Sequence, residues 1–274
     1  IISILSEVEN MSKLIYANFF RLFKNRLFLF GIGFMFLAGC FLVFQQYRQA
    51  AGYGLKTDIE NTFFVYTQMI GVISAIFCSL FLHAEYGDGT VRNKIIAGHK
   101  RVAVYFANLV VNIAASVMLC LSYMLANIII GIPLIGNMDL PLVKVLTIVC
   151  GSMISLIAIC SVLTMVSLLV QTKAVAPVIC ILIIFLSMAF LNEVQRMLDQ
   201  PQYWYDGTLN TTSYVDGVER DVLQFIYDAT PTGQEMQYSR KDTDKALAMS
   251  AYAAGLTVIT TGIGMFFFKR KDLR

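Results

Sequence analysis

The sequence predicts an all-α membrane protein with six transmembrane helices, an N-terminal interfacial elbow helix and a small extracellular insert before the last span. Hydrophobic residues make up 57% of the 274 positions and charged residues 14%, whereas soluble domains average roughly 45 to 50% and about 25%. The apolar residues are concentrated in six stretches without Asp, Glu, Lys, Arg or His, and a helix of about 20 apolar residues crosses a bilayer core. These stretches are 27–44, 63–82, 102–132, 145–170, 174–191 and 246–268. A soluble globular protein is thereby excluded.

Six spans place both termini on one side of the membrane, so the connecting segments divide into two sets. The first set comprises residues 1–26, 83–101, 171–173 and 269–274. The second set comprises residues 45–62, 133–144 and 192–245. The first set holds 13 Lys and Arg against 5 Asp and Glu, and the second holds 8 against 13. Because Lys and Arg are enriched in cytoplasmic segments, we expect a multi-pass protein of the cell (plasma) membrane with both termini cytoplasmic.

The N-terminal residues do not have the pattern of a secretory signal peptide. They are polar or amphipathic, and five further apolar stretches follow the first. The sequence begins Ile-Ile-Ser and its first Met is Met11. Such a beginning is expected where amino acids of a tag remain on the chain, or where translation starts at a codon upstream of the given sequence.

Residues 11–26, directly before the first span, are predicted to form an amphipathic elbow helix that lies in the membrane surface. An interfacial helix of this kind buries its apolar side at the acyl boundary and directs cations to anionic headgroups. The alternative is a segment that continues into the first span as one longer helix. The apolar stripe and the basic side consist, respectively, of Ile15, Phe19, Leu22 and Phe23 and of Lys13, Arg21 and Lys24.

Three polar residues of the third apolar stretch, Asn108, Asn112 and Ser116, share one helix face at spacings of four. They could line a substrate path. Hydrogen bonds between helices are the commoner role of such side chains in membrane helices, and both interpretations stay open at this point.

The segment 192–245 is predicted to be an extracellular insert with ten acidic and five basic residues. It is rich in aromatic residues, which favours a small folded cap over a disordered loop. A structural core is the more ordinary use of these rings, and contact with substrate is undetermined. The rings belong to Tyr203, Trp204, Tyr205, Tyr214, Phe225, Tyr227 and Tyr238.

The loop 83–101 after the second span contains the signals of a short helix. Thr90 suits an N-cap, seven helix-compatible residues follow, and Gly98 suits a left-handed C-terminal cap. A helix of about two turns, roughly 10 Å long, is predicted, with Val91 and Ile95 on one apolar face and Arg92 and Lys94 beside it. Such a helix, held at both ends by membrane helices, is suited to docking a soluble partner. The alternative is a solvated turn that only follows the positive-inside rule.

This loop resembles the coupling helix of type-2 ABC transporter permeases, in which an acidic residue, a Gly-Thr pair and a later basic residue follow the second span. Glu85, Gly89-Thr90 and Lys100-Arg101 match that order. The segment KLIYANFFRLFKNR resembles the N-terminal elbow helix of the same family, and six spans with an insert before the last also fit. Gly98 is a departure, because many members carry a proline there.

The resemblance implies a permease that forms a homodimer, or a heterodimer with a second permease, and binds two ATP-hydrolysing subunits through its coupling helices. ATP and Mg would bind the partner subunits, since this chain has no Gly-x-x-x-x-Gly-Lys-Ser/Thr motif. We therefore expect no cofactor, no metal and no catalytic residue on this chain. The expected docking residues are Glu85, Tyr86, Gly89, Thr90, Arg92, Asn93 and Arg101. The layout is an elbow helix at 11–26, helices one to five over 27–191 with the coupling helix at 85–101, an extracellular insert at 192–245, the sixth helix at 246–268 and a cytoplasmic tail at 269–274.

Two other classes fit less well. An ion-coupled secondary transporter usually carries intramembrane carboxylates or histidines, and the six apolar stretches contain none. A membrane enzyme would need a nucleophile with a base, or a metal-binding cluster. The two histidines, His83 and His99, lie at the end of the second span and in the loop without an HExxH or paired-acid motif.

The substrate is expected to be amphipathic or apolar, because a path lined by Ser, Thr, Asn and Phe without fixed charge does not suit a small ion. Within the resembled family, short six-span permeases of this style are similar to those of Gram-positive peptide export or self-immunity systems. The prediction is export of an amphipathic peptide, modulin-like or lantibiotic-like. Efflux of a lipid or of a hydrophobic antibiotic is the alternative. The remaining expected partner is membrane lipid, and no nucleic acid is expected.

Overall fold

The computed structural model shows a bundle of helices in which the long apolar ones pack side by side. It describes residues 2–54, 56–87, 90–170, 172, 174–203, 208–210 and 214–271, with side chains from residue 11 onward except those of 85–87. Among these residues there is no β-strand. The helices are α1 (Ile2–Lys24), α2 (Arg26–Tyr53), α3 (Glu60–Phe63), α4 (Tyr66–Gly87), α5 (Thr90–Ile96), α6 (Arg101–Ala126), α7 (Ile132–Ile135, reached through a π-helical turn at Asn127–Gly131), α8 (Leu142–Leu169), α9 (Val175–Leu198), α10 (Gly217–Ala229), α11 (Pro231–Ser239) and α12 (Ala246–Arg270).

Six segments of the described chain are long and apolar enough to cross a membrane, which confirms the predicted fold class. They are Arg26–Tyr53, Glu60–Ala84, Arg101–Ile135, Leu142–Leu169, Val175–Leu198 and Ala246–Arg270. Several helices extend past the charge-free stretches, and α2 continues nine residues beyond residue 44 to Tyr53. A charged residue ends a charge-free stretch but does not end a helix, because its long side chain reaches the membrane interface.

The elbow helix α1 is separate from the first spanning helix, so the alternative of one longer helix is wrong. Asn25 between them has an extended backbone, and its side-chain oxygen accepts from the backbone N–H groups of Leu27 at 2.8 Å and Phe28 at 3.2 Å. This is an N-cap, which satisfies N–H groups that have no partner within the helix. Asn25 therefore ends one helix and begins the next.

The buried face of α1 differs from the predicted apolar stripe. Leu14, Asn18 and Leu22 are buried against the bundle, whereas Phe23 is 52% exposed beside the exposed Phe20. Periodicity identifies where apolar residues lie on a helix, but it does not distinguish protein from lipid as their surroundings. The exposed rings are suited to the acyl boundary of a bilayer, and the buried face attaches α1 to the bundle.

Polar contacts near the helix ends lie within each of the two predicted sets of segments, at opposite ends of the bundle. On one side, Arg101 contacts carbonyl groups at the end of α12, and Lys271 donates to Leu168 O at 2.7 Å. On the other side, Arg240 pairs with Asp199 at 2.9 Å, and Lys241 donates to Asn61 at 2.8 Å. We call the first the terminal side and the second the insert side. The partition into two sides is thus present in the fold, and the assignment of the cytoplasm to the terminal side stays a prediction.

The insert is a pair of short helices, α10 and α11, and the second is packed into the bundle. Pro231 occupies the first turn of α11, where its missing N–H is not needed. Every residue from Pro231 to Tyr238 is buried, and α11 contacts α4, α8 and α9. Tyr227 and Tyr238 are buried, whereas Phe225 is 56% exposed. The insert is therefore folded, as predicted, but it is continuous with the membrane bundle; Trp204 and Tyr205 lie outside the described residues.

Candidate functional site

The short helix in the loop after α4 is present as α5, and it is fixed to the bundle by its apolar face. Val91 is 1% exposed and packs in a cluster with Leu14 of α1, Leu82 of α4 and Val104 of α6. Ile95 is half-buried against the same cluster. The predicted apolar face is confirmed, and burying a side chain such as Val91 contributes about 2 kcal/mol to its attachment.

The end of α5 is also as predicted. Gly98 has a φ of 92°, in the left-handed region that favours glycine. The N–H of His99 donates to Lys94 O at 3.1 Å and the N–H of Gly98 to Ile95 O at 3.0 Å. These two bonds form a Schellman motif, which satisfies carbonyl groups at a helix C-terminus. The helix therefore ends at a fixed position and directs the chain back into α6.

The outer side of α5 presents part of the predicted docking surface. Arg92 and Asn93 are exposed, Ile96 is 73% exposed and Thr90 is half-buried in the first turn. Glu85 and Tyr86 lie in the last turn of α4, with side chains outside the description, and Gly89 lies outside the described residues. The outer side of the anchored helix α5 is therefore an exposed surface with basic and apolar side chains.

A hydrogen-bonded triad connects α5 with the elbow helix and the third span. The Lys94 ammonium donates to Asn18 Oδ1 at 2.7 Å, and Asn18 Nδ2 donates to Asn108 Oδ1 at 3.0 Å. Asn18 and Asn108 are both buried. Hydrogen bonds of charged groups are about twice as strong as neutral ones, so the triad attaches α5 to α1 and α6.

Arg101, the last of the predicted docking residues, contacts the C-terminal tail. Its guanidinium donates to Phe268 O at 3.4 Å and Lys269 O at 3.2 Å, and it also contacts Lys271 O. A cation at these carbonyl groups complements the C-terminal end of a helix dipole. Lys271 in turn donates to Leu168 O, and partial burial lowers the pKa of its ammonium to about 8. Arg101 thus joins the start of α6 to the ends of α12 and α8.

The polar face of α6 takes part in hydrogen bonds between helices. Besides the contact of Asn108 with α1, Asn112 Nδ2 donates to Thr164 Oγ1 on α8 at 2.9 Å. Ser116 is bonded to Ser74 on α4 at 2.9 Å and accepts from the Cys160 thiol at 3.3 Å. Hydrogen bonding between helices is one of the two roles that the sequence left open. In this conformation the side chains of Asn108, Asn112 and Ser116 are all buried.

Further polar contacts continue from this column to α11 on the insert side. Tyr66 of α4 is bonded to Ser152 of α8 at 2.7 Å. Ser155 of α8 donates to Gln234 Oε1 of α11 at 2.6 Å. Gln234 Nε2 then donates to the carbonyl oxygens of Asp228 and Met249 at 2.8 and 2.9 Å. Buried polar groups therefore connect helices along the bundle from α5 to α11.

Glu60, His83 and Glu235 are buried, and the sequence analysis considered only His83 among them. Glu60 accepts from the N–H groups of Asp139 and Leu140, at 2.6 and 2.8 Å. His83 lies between Ser79 O at 2.9 Å and Val170 O at 3.1 Å. His83 directly follows the stretch 63–82 and Glu60 lies three positions before it, so a less strict boundary would have included both in the second span. Glu235 is the third, and it gave no signal because α11 has the polar composition of a solvated segment.

The fold and these contacts define a multi-pass helical membrane protein with an anchored helix exposed on its terminal side. Among the described residues, no group of three or more His, Cys, Asp or Glu side chains is arranged to hold a metal ion. Compared with protein-family models and with curated proteins, the sequence matches none.

Proposed function

We propose that the chain is the membrane-spanning permease subunit of an ATP-driven ABC exporter, that it lies in the plasma membrane with its termini in the cytoplasm, and that it moves an amphipathic peptide. The proposal rests on α5. This helix is capped, anchored through Val91, connected by Lys94 to two other helices and exposed at Arg92 and Asn93. Those properties are required of an element that receives a mechanical displacement from a docked ATPase. The proposed assembly is a dimer of permeases with two ATPase subunits, which bind ATP and Mg.

The proposed cargo is supported by the surface of α2. This helix exposes large apolar side chains at its membrane face, and the exposed residues are Phe30, Phe34, Leu37, Phe41 and Phe44. In the proposed dimer, such a face would contact acyl chains and the apolar side of an amphipathic peptide during lateral extrusion. A lipid or a hydrophobic antibiotic would use the same face, so these remain the alternative cargo.

An ion-coupled secondary transporter is the second candidate, and one observation favours it. The carboxyl group of Glu235 is buried among α4, α8 and α9, although its segment was assigned to the insert from sequence. Buried carboxyl groups in membrane proteins commonly bind coupling ions. Export from proteoliposomes that requires ATP and persists without an ion gradient would exclude this candidate.

Arg92→Glu tests the docking function of α5. We expect the ATPase that copurifies with the unaltered chain to bind the variant at least tenfold more weakly, equivalent to about 1.4 kcal/mol, because the exposed guanidinium is replaced by an opposite charge. Copurification and ATP-driven export are the measurements. Arg48→Glu is the matched control, since Arg48 is exposed on the insert side. Equal ATPase binding by both variants, or no copurifying ATPase, would contradict the proposal.

The orientation is tested by cysteine labelling of intact cells. We expect a cysteine at Ala97, exposed after α5 on the terminal side, to resist a membrane-impermeant thiol reagent until the cells are opened. A cysteine at Thr208, exposed on the insert side, is expected to react in intact cells. The unaltered chain with its six native cysteines gives the background. Labelling of both positions from the same side would contradict the six-span topology.

A further inference from the structure

Glu235 lies at the centre of the buried helix α11. The residue is 2% exposed, and each of its carboxyl oxygens is buried without a hydrogen-bond partner among the described residues. Hydrogen bonds from α4 attach α11 to the bundle. Thr67 Oγ1 of α4 donates to the backbone carbonyl of Glu235 at 2.8 Å, and Gln68 Nε2 donates to Ser239 Oγ at 2.7 Å. The unpartnered carboxyl group is therefore placed in the bundle by the contacts of α11.

The surroundings of this carboxyl group contain no compensating positive charge among the described residues. The titratable groups that interact with it electrostatically are Tyr66 on α4, Cys120 on α6, Cys160 on α8 and Tyr238 on α11 itself. A neutral phenol or thiol cannot balance a carboxylate. From α9, the neighbouring side chains are apolar, Ile184 and Met188.

The described cation beside α10, Lys245, already has a partner. On α10, Asp228 pairs with Lys245 at 2.8 Å. Burying an ionised carboxylate without a partner is far more costly than burying the neutral acid. Burial accordingly raises the pKa of the Glu235 carboxyl well above its usual range.

Glu235 is one of the residues that line a small cavity. This cavity has a volume of about 10 Å³ and is lined by Thr67 and Gly71 of α4, Ile159 of α8 and Thr232 of α11, among others. This space is on the scale of one water molecule. A metal cation with its ligands or an organic amine would not fit, whereas a proton requires no space.

We propose that Glu235 is a proton-binding site, and that its proton holds α11 in the bundle. With the proton bound, the side chain is neutral and α11 packs between α4, α8 and α9. When α11 moves away, water reaches the carboxyl group, the O–H bond breaks and the proton passes to water. The ionised carboxylate cannot return to the apolar position until it takes up a proton again.

The direction of the pH dependence follows from these two states. An exposed carboxyl group of glutamate has a pKa of about 4.3, and the buried one is higher. The packed state of α11 is therefore fully favoured below about pH 4.3 and is progressively lost as pH rises from there to the pKa of the buried group. Within that window the equilibrium between packed and displaced α11 shifts tenfold per pH unit.

The test measures access to a cysteine at Thr232, a buried residue beside the cavity. The labelling rate of Thr232→Cys by an impermeant thiol reagent is compared in the Glu235 chain and in the Glu235→Gln chain, between about pH 5 and pH 8. The thiolate fraction of the cysteine changes equally with pH in both chains. The labelling rate in the Glu235 chain divided by the rate in the Glu235→Gln chain therefore reports only the displacement of α11. We expect the ratio to rise with pH by up to tenfold per unit. A ratio independent of pH would overturn the proposal.

A control variant and an infrared measurement test whether the pH dependence arises from Glu235 and whether its carboxyl group is protonated. Glu219→Gln removes an exposed carboxyl group of the same insert and is expected to leave the pH dependence of Thr232→Cys labelling unchanged. The infrared C=O band of a protonated carboxyl group should be present at neutral pH and absent in Glu235→Gln. Because the amide is an isostere of the neutral acid, a Glu235→Gln chain that fails to fold also overturns the proposal. None of these measurements involves an ATPase, so the result is independent of the proposed function.

Discussion

Replacing Gly151 with leucine is expected to displace α11 from the membrane bundle and to lower the free energy of unfolding by about 3 kcal/mol or more. A Cβ atom at Gly151 would lie 2.3 Å from the hydroxyl oxygen of Tyr238, far inside the contact distance. Tyr238 is fully buried and cannot turn away. The measurement is thermal unfolding of the purified protein in detergent, together with protease resistance of the insert.

Gly255→Leu is the matched control for this change. Gly255 also lies in a spanning helix, but within the described part of the chain no atom beyond the neighbouring helix backbone would lie within 4 Å of a Cβ atom at this position. We expect this variant to unfold close to the temperature of the unaltered protein. If Gly151→Leu and Gly255→Leu unfold alike, the packing of Tyr238 on α8 does not hold α11.

Asn18→Leu is expected to have the second large effect, a loss of about 3 kcal/mol together with uncoupling of ATP hydrolysis from export. The change removes the bond from Lys94 at 2.7 Å and the bond to Asn108 at 3.0 Å. A bond to a charged group contributes roughly 1.5 to 3 kcal/mol and a neutral one about 1 kcal/mol. Thermal unfolding and the ratio of peptide exported to ATP hydrolysed are the two measurements.

Two variants of the same helix separate this effect from a general loss of helix packing. Tyr16→Leu alters a residue that is 75% exposed, and we expect neither stability nor coupling to change. Asn18→Asp keeps an acceptor for Lys94 and can accept from the Asn108 amide after that amide turns over, so it is expected to retain most of the stability. Full coupling in Asn18→Leu would mean that the triad does not transmit movement from α5.

The spanning helices could be predicted because their signal is local. A segment of about 20 residues without charge has few alternatives to a membrane helix. Each of the six stretches lies within an observed span, except for one residue at each of positions 170 and 174. The short helix α5 was also locally encoded, by Gly98 at its end and by Val91 and Ile95 four residues apart. Local sequence was insufficient for α1, because it did not indicate that Leu14 and Asn18 are buried against the bundle.

The candidate site was only partly accessible to sequence. Arg92 and Asn93 were expected on an exposed helix and are exposed. Arg101 belonged to the same predicted set, yet its guanidinium contacts carbonyl groups 167 and 168 residues later in the chain. No local pattern reports a contact of that range, and the same holds for the bond between Lys94 and Asn18.

By itself, the sequence determined the number of spanning helices, the two sets of segments that separate across the bundle and the capped helix between the second and third spans. Each of these follows from hydrophobicity, charge or turn preference within a short window. Only the tertiary structure decided that α11 is buried, that the Glu235 carboxyl has no hydrogen-bond partner among the described residues and that the polar face of α6 is used between helices. The physical reason is that a polar nine-residue helix has no preference of its own for a buried position. Its burial depends on Gly151, Ser155 and Thr67, which come from other helices and meet α11 only in the folded protein.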